Sequence, residues 1–373
     1  MRLPDLLTPA LLIHLDRVRH NLAAMQRWLG GDIGRWRPHV KTCKVPEVMR
    51  LLLDIGVQRF KCATTREAEQ LLALAEAAGR RIDLLFAMAQ HGANLDRVRA
   101  LAAAHPRQAL SVLSEDPAHA ERLAAAGLGV FVDLDPGYHR TGIALAARDR
   151  IAAAARAAGA QLRGLHCYDG HLHDATPADR RAAAHRVYAE LIALADALGM
   201  RGELATSGTP TFPDALAFPG FAGRDHTVGP GTVVYWDARS EALGIDGFTC
   251  AAEVLARVIS HPAPGRFTVD AGSKAVDAAA GTPCVRLQPP WRGTAATPSE
   301  EHLPFAAADP QAVPPLGTLV RLVPAHVCPT VNLADDAVLL EGGEIVAIVP
   351  VRARGHETAA VAPPPDRQDT GRR

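Results

Sequence analysis

Between residues 36 and about 235 the chain alternates short apolar, β-rich runs with longer stretches rich in Ala, Leu, Arg and Glu. The runs fall at 36–42, 60–65, 83–88, 109–114, 130–135, 162–168, 203–207 and 227–231, with helix-like segments such as 66–72 and 148–158 between most of them. Strands that stay apolar on both faces belong to a sheet covered on both sides. Eight such repeats predict an α/β fold built on a (β/α)8 TIM-type barrel. The competing doubly wound sheet would carry a Gly-rich dinucleotide turn after its first strand, and the residues after 42 hold none.

An extra run at 10–16 precedes the first barrel unit and is expected to pair elsewhere. After about residue 237 the pattern changes to strand-like segments at 267–270, 319–324, 337–340 and 345–351, separated by loops rich in Pro and Gly. This predicts a barrel over 17–236, then a mostly β C-terminal domain over 237–356 that is joined by an N-terminal strand at 8–16. The stretch from Pro289-Pro290 to Pro314-Pro315 reads as a long irregular connection. The tail 359–373, with Pro363-Pro364-Pro365 and mixed charge, reads as disordered.

A chain of 373 residues can bury two large cores, and 48% hydrophobic with 21% charged residues is ordinary for a globular protein. Its 40 basic and 40 acidic residues balance without a basic cluster, which argues against nucleic acid and anionic membrane as partners. No apolar run approaches membrane-spanning length, and Met1-Arg2-Leu3-Pro4-Asp5 opens no secretory h-region. The six scattered cysteines then read as thiols of a cytoplasmic protein.

The basic residues are almost all arginine, and only Lys41, Lys44, Lys61 and Lys274 break the pattern. An amine can form a Schiff base and its pKa falls readily on burial, so each retained lysine is a chemical candidate. Lys41 sits near the end of Arg37-Pro38-His39-Val40-Lys41-Thr42. In a strand, His39 and Lys41 share a face, and at the C-terminal mouth of a barrel both would point into the cavity. The same spacing in His326-Val327-Cys328 sets an imidazole beside a thiol, a pair that suits a borderline-soft divalent ion and leaves coordination positions open. A packed histidine next to a buried thiol is the plainer reading of those two residues. Ser207-Gly208-Thr209 and Gly229-Pro230-Gly231-Thr232 follow the seventh and eighth predicted strands. Barrels most often bind phosphate there, through backbone N–H groups and hydroxyls.

Further motifs accompany these. They are Thr8-Pro9-Ala10, Glu67-Ala68-Glu69, Val132-Asp133-Leu134-Asp135-Pro136-Gly137-Tyr138-His139-Arg140-Thr141-Gly142, Ser207-Gly208-Thr209-Pro210-Thr211, Val269-Asp270-Ala271-Gly272-Ser273-Lys274, Ser299-Glu300-Glu301-His302 and His326-Val327-Cys328-Pro329-Thr330-Val331-Asn332-Leu333. Their order, over roughly residues 8 to 355, resembles the D-threonine aldolase and eukaryotic-type D-serine dehydratase family. The resemblance implies an alanine racemase-like fold, pyridoxal 5'-phosphate as cofactor, a divalent metal (zinc, manganese or magnesium), a small D-amino acid substrate and a homodimer. It implies Lys41 as the lysine that carries the cofactor; His39 is expected as a second catalytic residue from its place beside Lys41 on the strand, not from the resemblance. Arg140 would contact the cofactor ring, with Tyr168 as an aromatic nearby. Ser207, Gly208, Thr209, Gly231 and Thr232 would surround its phosphate, and His326 and Cys328 would bind the metal.

Aldolases of this family pair the metal histidine with Asp, and its D-serine dehydratases pair it with Cys. Cys328 is therefore dehydratase-like, whereas Pro329-Thr330-Val331-Asn332-Leu333 resembles the aldolase branch. The expected activity is a lyase cleaving D-β-hydroxy amino acids to glycine and an aldehyde. Dehydration of D-serine or D-3-hydroxyaspartate to a keto acid and ammonia is the alternative, and an amino-acid racemase a more distant one.

Overall fold

The computed structural model describes residues 2–173 and 176–359, so all but the first residue of the tail expected to be disordered lies outside the described residues. Seven strands pair in parallel and in sequence order: Arg59–Cys62, Asp83–Phe86, Ala109–Ser114, Gly129–Asp135, Leu162–Cys167, Glu203–Thr206 and His226–Val228. The segment 36–40 closes the ring between the last and the first of them. Trp36 bridges Val228 and His39 bridges Lys61, both in parallel sense. The Arg37 N–H donates to the Val228 carbonyl at 2.9 Å, the Lys61 N–H to the Pro38 carbonyl at 2.8 Å, and the Val40 N–H to the Lys61 carbonyl at 2.8 Å.

This closing segment departs from the strand that its pattern predicts. Pro38 has no N–H to offer a ladder, and residues 40–43 turn. Lys41 therefore stands in a turn at the mouth, and the shared strand face expected for His39 and Lys41 does not exist.

Helices cover the outside and turn their small and branched residues inward. Pro46–Asp54 starts on a proline, which loses nothing at a first helical position, and buries Val48, Met49, Leu52 and Leu53. In Thr65–Ala77 the cap is reciprocal: the Thr64 hydroxyl accepts the Glu67 N–H at 3.1 Å, and the Glu67 carboxylate accepts the Ala63 N–H at 2.7 Å. The same carboxylate takes the Lys44 amine at 2.6 Å, so Lys44 and the Glu67-Ala68-Glu69 motif serve the fold.

The barrel interior is layered. Arg37 lies fully buried in the floor and spends its guanidinium on Glu203 at 2.7 and 2.5 Å, on the Asp83 carboxylate at 3.1 and 3.0 Å, and on the Phe60 carbonyl at 3.2 Å. Leu85, Leu113, Phe131 and Ala205 make an apolar cluster of their own within the barrel, and Arg37 also lies 5.4 Å from the Phe131 ring centroid.

The second sheet has nine strands in the order Arg266–Val269, Leu303–Ala307, Gly293–Ala295, Val285–Leu287, Leu319–Pro324, Ala252–Ser260, Ala10–His14, Asp336–Glu341 and Glu344–Pro350. Ala252–Ser260 pairs also with Arg266–Val269, which closes the first six into an antiparallel β-barrel. Phe267 and Phe305, opposite each other in register, stack inside it at 4.9 Å. Ala10–His14 lies antiparallel to Ala252–Ser260 and parallel to Asp336–Glu341. Two expectations fail here. The connection after Pro289-Pro290 contains the strands Gly293–Ala295 and Leu303–Ala307, and the nine-residue strand Ala252–Ser260 goes unannounced by the pattern. One apolar cluster runs from the (β/α) barrel through its helices to Val323, Val327, Cys328 and Val331, so the second sheet holds the His326 segment against the barrel.

Candidate active site at the barrel mouth

The site is built from chain turns at the C-terminal strand ends. In the first turn the Lys41 backbone N–H donates to His39 Nδ1 at 3.3 Å. Burial, then Lys41, Lys61 and Lys44 nearby, holds the His39 imidazole well below its usual pKa, so it stays neutral and able to accept that bond. The Lys41 side chain is exposed toward the mouth. Next to it, the Thr42 hydroxyl lies 3.1 Å from the Cys328 sulfur.

Cys328 does not sit on a strand with His326, as the spacing alone suggests. His326 precedes the helix Val327–Leu333 and Cys328 lies in its first turn. The buried Asp237 carboxylate fixes this start by accepting the Val327 N–H at 3.0 Å. The two side chains nevertheless meet. A hydrogen bond to Cys328 raises the His326 pKa against the opposing effect of burial. Burial would raise the Cys328 thiol, but His326, Lys41 and Thr42 outweigh it and pull it down. A thiolate beside a histidine is a donor set that fits a divalent ion, which takes Cys deprotonated and His neutral. An Asp277 carboxylate oxygen lies 3.5 Å from His326 Nδ1. Among the described residues no group of three or more His, Cys, Asp or Glu is arranged around a metal position, so an ion here would take two protein ligands and keep open positions.

The two glycine loops form the opposite wall. Ser207 adopts a left-handed backbone (φ 59), and its buried hydroxyl has no partner among the described residues. A Cβ on Gly208 would come within 2.9 Å of the Tyr168 ring, and one on Gly231 within 2.5 Å of the His39 carbonyl and 3.1 Å of the Thr42 hydroxyl. These glycines let the loops close on the first turn and on Tyr168. Thr232 reaches within 3.8 Å of the Cys328 sulfur, and Thr209 is buried in the first loop. Arg140 stacks its guanidinium 4.8 Å from the Tyr138 ring and 4.9 Å from the Tyr168 ring. Burial and the neighbouring Asp169 push the Tyr168 hydroxyl up to about 12, so it remains a neutral donor. An unpaired buried hydroxyl, a backbone cradle that any Cβ would fill, and a flat aromatic beside an arginine fit the phosphate and ring of pyridoxal phosphate.

Lys41, His39, Arg140, Tyr168, Ser207, Gly208, Thr209, Gly231, Thr232, His326 and Cys328 are thus brought to one mouth. The structure gives places at the mouth to further residues that the sequence reading assigned no role. Asp169, wholly buried, accepts the Tyr188 hydroxyl at 2.5 Å and the Thr211 hydroxyl at 2.7 Å, and Thr211 in turn accepts the Gly208 N–H at 3.3 Å. Asp133 and His166 pair at 2.7 Å on the barrel wall. Lys61, from the strand beside the closing segment, enters the same space. The scarcity of lysine was its only signal in the sequence.

Comparison with known proteins finds relatives along nearly the whole chain. Residues 13–238 match the alanine racemase N-terminal domain and residues 251–340 match the serine dehydratase domain. A D-threonine aldolase of Arthrobacter sp. is 30% identical, covering 93% of each chain. A D-threo-3-hydroxyaspartate dehydratase of Delftia sp. (strain HT23) is 31% identical, over 87% of this chain and 91% of its own. The crystal structure of a D-threonine aldolase from Filomicrobium marinum superposes with a TM-score of 0.80 at 29% identity, covering 94% of this chain and 97% of that one.

Proposed function

The chain belongs to the D-threonine aldolase and D-serine dehydratase-like family of alanine racemase fold, and from that premise we propose a pyridoxal phosphate- and divalent metal-dependent lyase that cleaves D-β-hydroxy amino acids to glycine and an aldehyde. The family is pyridoxal phosphate-dependent, and its named relatives are lyases. On this reading residues 17–236 form the cofactor-binding unit, and 237–356 with the strand 8–16 bring the metal pair. The protein would act as a homodimer.

One observation carries the reading: Cys328 touches Thr42, the residue next to Lys41, at 3.1 Å. A metal on His326 and Cys328 would therefore share one cavity with a cofactor on Lys41. When bound, the cofactor supplies an electron sink for the pair left at Cα, and the ion supplies Lewis acidity toward a hydroxyl on Cβ. The protein's own residues do the positioning. Lys41 offers the amine that carries the cofactor, and neutral His39 holds its turn by accepting the Lys41 N–H. Ser207, Gly208, Thr209, Gly231 and Thr232 receive the phosphate through hydroxyl and N–H groups, while Arg140 and Tyr168 orient the ring. Cleavage needs the β-hydroxyl proton removed as Cα–Cβ breaks, giving glycine and acetaldehyde from D-threonine.

Dehydration is the second reading, favoured by the thiol at position 328 and by the likeness to the Delftia dehydratase. It needs the α-proton taken by Lys41 and hydroxide lost from Cβ. The test is product analysis with D-threonine, L-threonine and D-serine. Glycine and acetaldehyde from D-threonine alone are expected. Pyruvate and ammonia from D-serine, without glycine from D-threonine, would move the protein to the dehydratase branch. Chelation should lower turnover at least about a hundredfold and leave the cofactor's visible absorbance in place; full turnover in protein shown metal-free by elemental analysis would remove the metal from the scheme.

A further inference from the structure

Of the four lysines, Lys44 is paired with Glu67 and Lys274 is exposed beside Glu301 at 3.0 Å. Lys41 stands in the mouth turn. Lys61 differs from all of them: it is only 3% exposed, it points into the barrel from the strand Arg59–Cys62, and among the described residues its amine has no hydrogen-bond or ion-pair partner.

Its position is fixed by a missing side chain. A Cβ on Gly229 would lie 2.1 Å from the Lys61 amine nitrogen and 3.0 Å from the Ser207 carbonyl. The amine therefore rests against the first residue of the loop Gly229-Pro230-Gly231-Thr232, at a spot that the Ser207 loop also faces. A buried cation is costly without a counter-charge. Two carboxylates are near enough to act on it, Glu203 and Asp169, but both are committed. Glu203 holds Arg37 and Thr227, and Asp169 holds Tyr188 and Thr211. The Ser207 hydroxyl is buried and, among the described residues, unpaired as well. A basic amine without a partner among the described residues rests on one glycine loop, and an unmatched buried hydroxyl belongs to the loop that faces it; an anionic oxygen received between the two loops would match both.

We propose that Lys61 is a phosphate-binding residue of the cofactor site, a buried cation added to a cradle otherwise made of backbone N–H groups and hydroxyls. The inference rests on the reading that the Ser207 and Gly229 loops hold the cofactor's phosphate. It also has a protonic consequence. Burial first, then Arg37 and Lys41, lowers the Lys61 pKa to about 7 against the pull of Glu203 and Asp169; neutral His39 and His166 stand nearby. A dianion arriving beside the amine raises that value, so binding above pH 7 draws a proton from solution and binding at pH 6 draws little.

The test uses the full chain stripped of cofactor, titrated with pyridoxal 5'-phosphate and with pyridoxal, which lacks the phosphate. Lys61→Met keeps the length and removes the charge; Gly229→Ala keeps the charge and displaces the amine. Both are expected to weaken the phosphate ester about 10- to 100-fold, the span of one charge-assisted contact, and to weaken pyridoxal less than about twofold. Calorimetry at pH 8 in buffers of different ionisation enthalpy should show uptake approaching one proton in the natural protein, and little in Lys61→Met. Equal losses for the two ligands, or an unchanged affinity for the ester in Lys61→Met, would overturn the inference. If the natural protein itself failed to prefer the ester, the phosphate reading of the loops would fall instead. Borohydride reduction and peptide mapping separate the two amines: the cofactor is expected on Lys41, and its recovery on Lys61 would overturn the phosphate role.

Discussion

Two buried basic side chains lie inside the same barrel and meet opposite treatment. Arg37, in the floor, has every nitrogen of its guanidinium matched by Glu203, Asp83 or a carbonyl. Lys61, nearer the mouth, has no hydrogen-bond or ion-pair partner among the described residues, and neither has the buried Ser207 hydroxyl of the neighbouring loop. A fold tolerates a buried charge when it neutralises it. The floor has done so within the chain, and its charges hold strands together. The mouth has not, which is what a site awaiting an anionic ligand looks like. Polarity inside the barrel is thus shared between architecture and function, and the degree of satisfaction tells them apart.

The largest effect that divides the two regions is chemical. Lys41→Ala should abolish the visible band of the bound cofactor and lower turnover at least about a thousandfold. Lys44→Ala, which breaks a buried pair with Glu67 and a hydrogen bond to the Ala353 carbonyl, should lower the melting temperature and keep the band. Loss of the band in the Lys44 variant, with the band intact in the Lys41 variant, would exchange the roles assigned to the two residues.

Next comes stability, where the floor should dominate. Arg37→Met leaves buried Glu203 with only the more distant Arg59, at 3.6 Å, and is expected to cost about 3–5 kcal/mol in denaturant unfolding. It also predicts a pH dependence. Burial works to raise the Glu203 pKa, but Arg37 and Arg59 outweigh it and hold the carboxylate below its ordinary 4.5. Because the folded state has the lower value, this contribution is complete above pH 4.5 and is lost as pH falls through the folded-state value. Arg37→Met should flatten that acid limb. Lys61→Met, by contrast, removes a buried amine that has no partner among the described residues and should leave unfolding unchanged or raise the midpoint; a loss as large as that of Arg37→Met would erase the distinction between floor and mouth.

What could be read from the chain follows the same division. The glycine loops and the His326–Cys328 pair were legible because their chemistry lies in residue type and in order along the chain. The strand-face argument for His39 and Lys41 failed because Pro38 breaks the ladder and the chain turns at Val40, yet Lys41 still reached the mouth, since a turn after a barrel strand opens there. His326 and Cys328 meet across a strand–helix junction for a reason that no spacing contains, namely the Asp237 carboxylate capturing the Val327 N–H. The strands Gly293–Ala295 and Leu303–Ala307 were hidden by brevity and by Pro304 within one of them. Lys61 was visible only as a rare residue. Its meaning depends on an absent Cβ at Gly229, far along the chain, and on carboxylates already spent elsewhere.

The smallest effect tests whether one carboxylate can belong to both regions. Asp169 is wholly buried; burial raises its pKa, and the hydroxyls of Tyr188 and Thr211 oppose that rise. Tyr188→Phe and Thr211→Val each remove one donor from the same acceptor, so each is expected to cost about 1–3 kcal/mol of stability. Only Thr211, however, also accepts the Gly208 N–H, at 3.3 Å. Its loss frees the loop that would surround the phosphate, whereas loss of the Tyr188 hydroxyl leaves that loop braced. Affinity for pyridoxal 5'-phosphate, measured by fluorescence titration of cofactor-free protein, should therefore fall about three- to tenfold in Thr211→Val and less than about twofold in Tyr188→Phe. Matching affinities in the two variants would make Asp169 purely architectural and confine the functional part of the barrel interior to residues that meet the ligand directly.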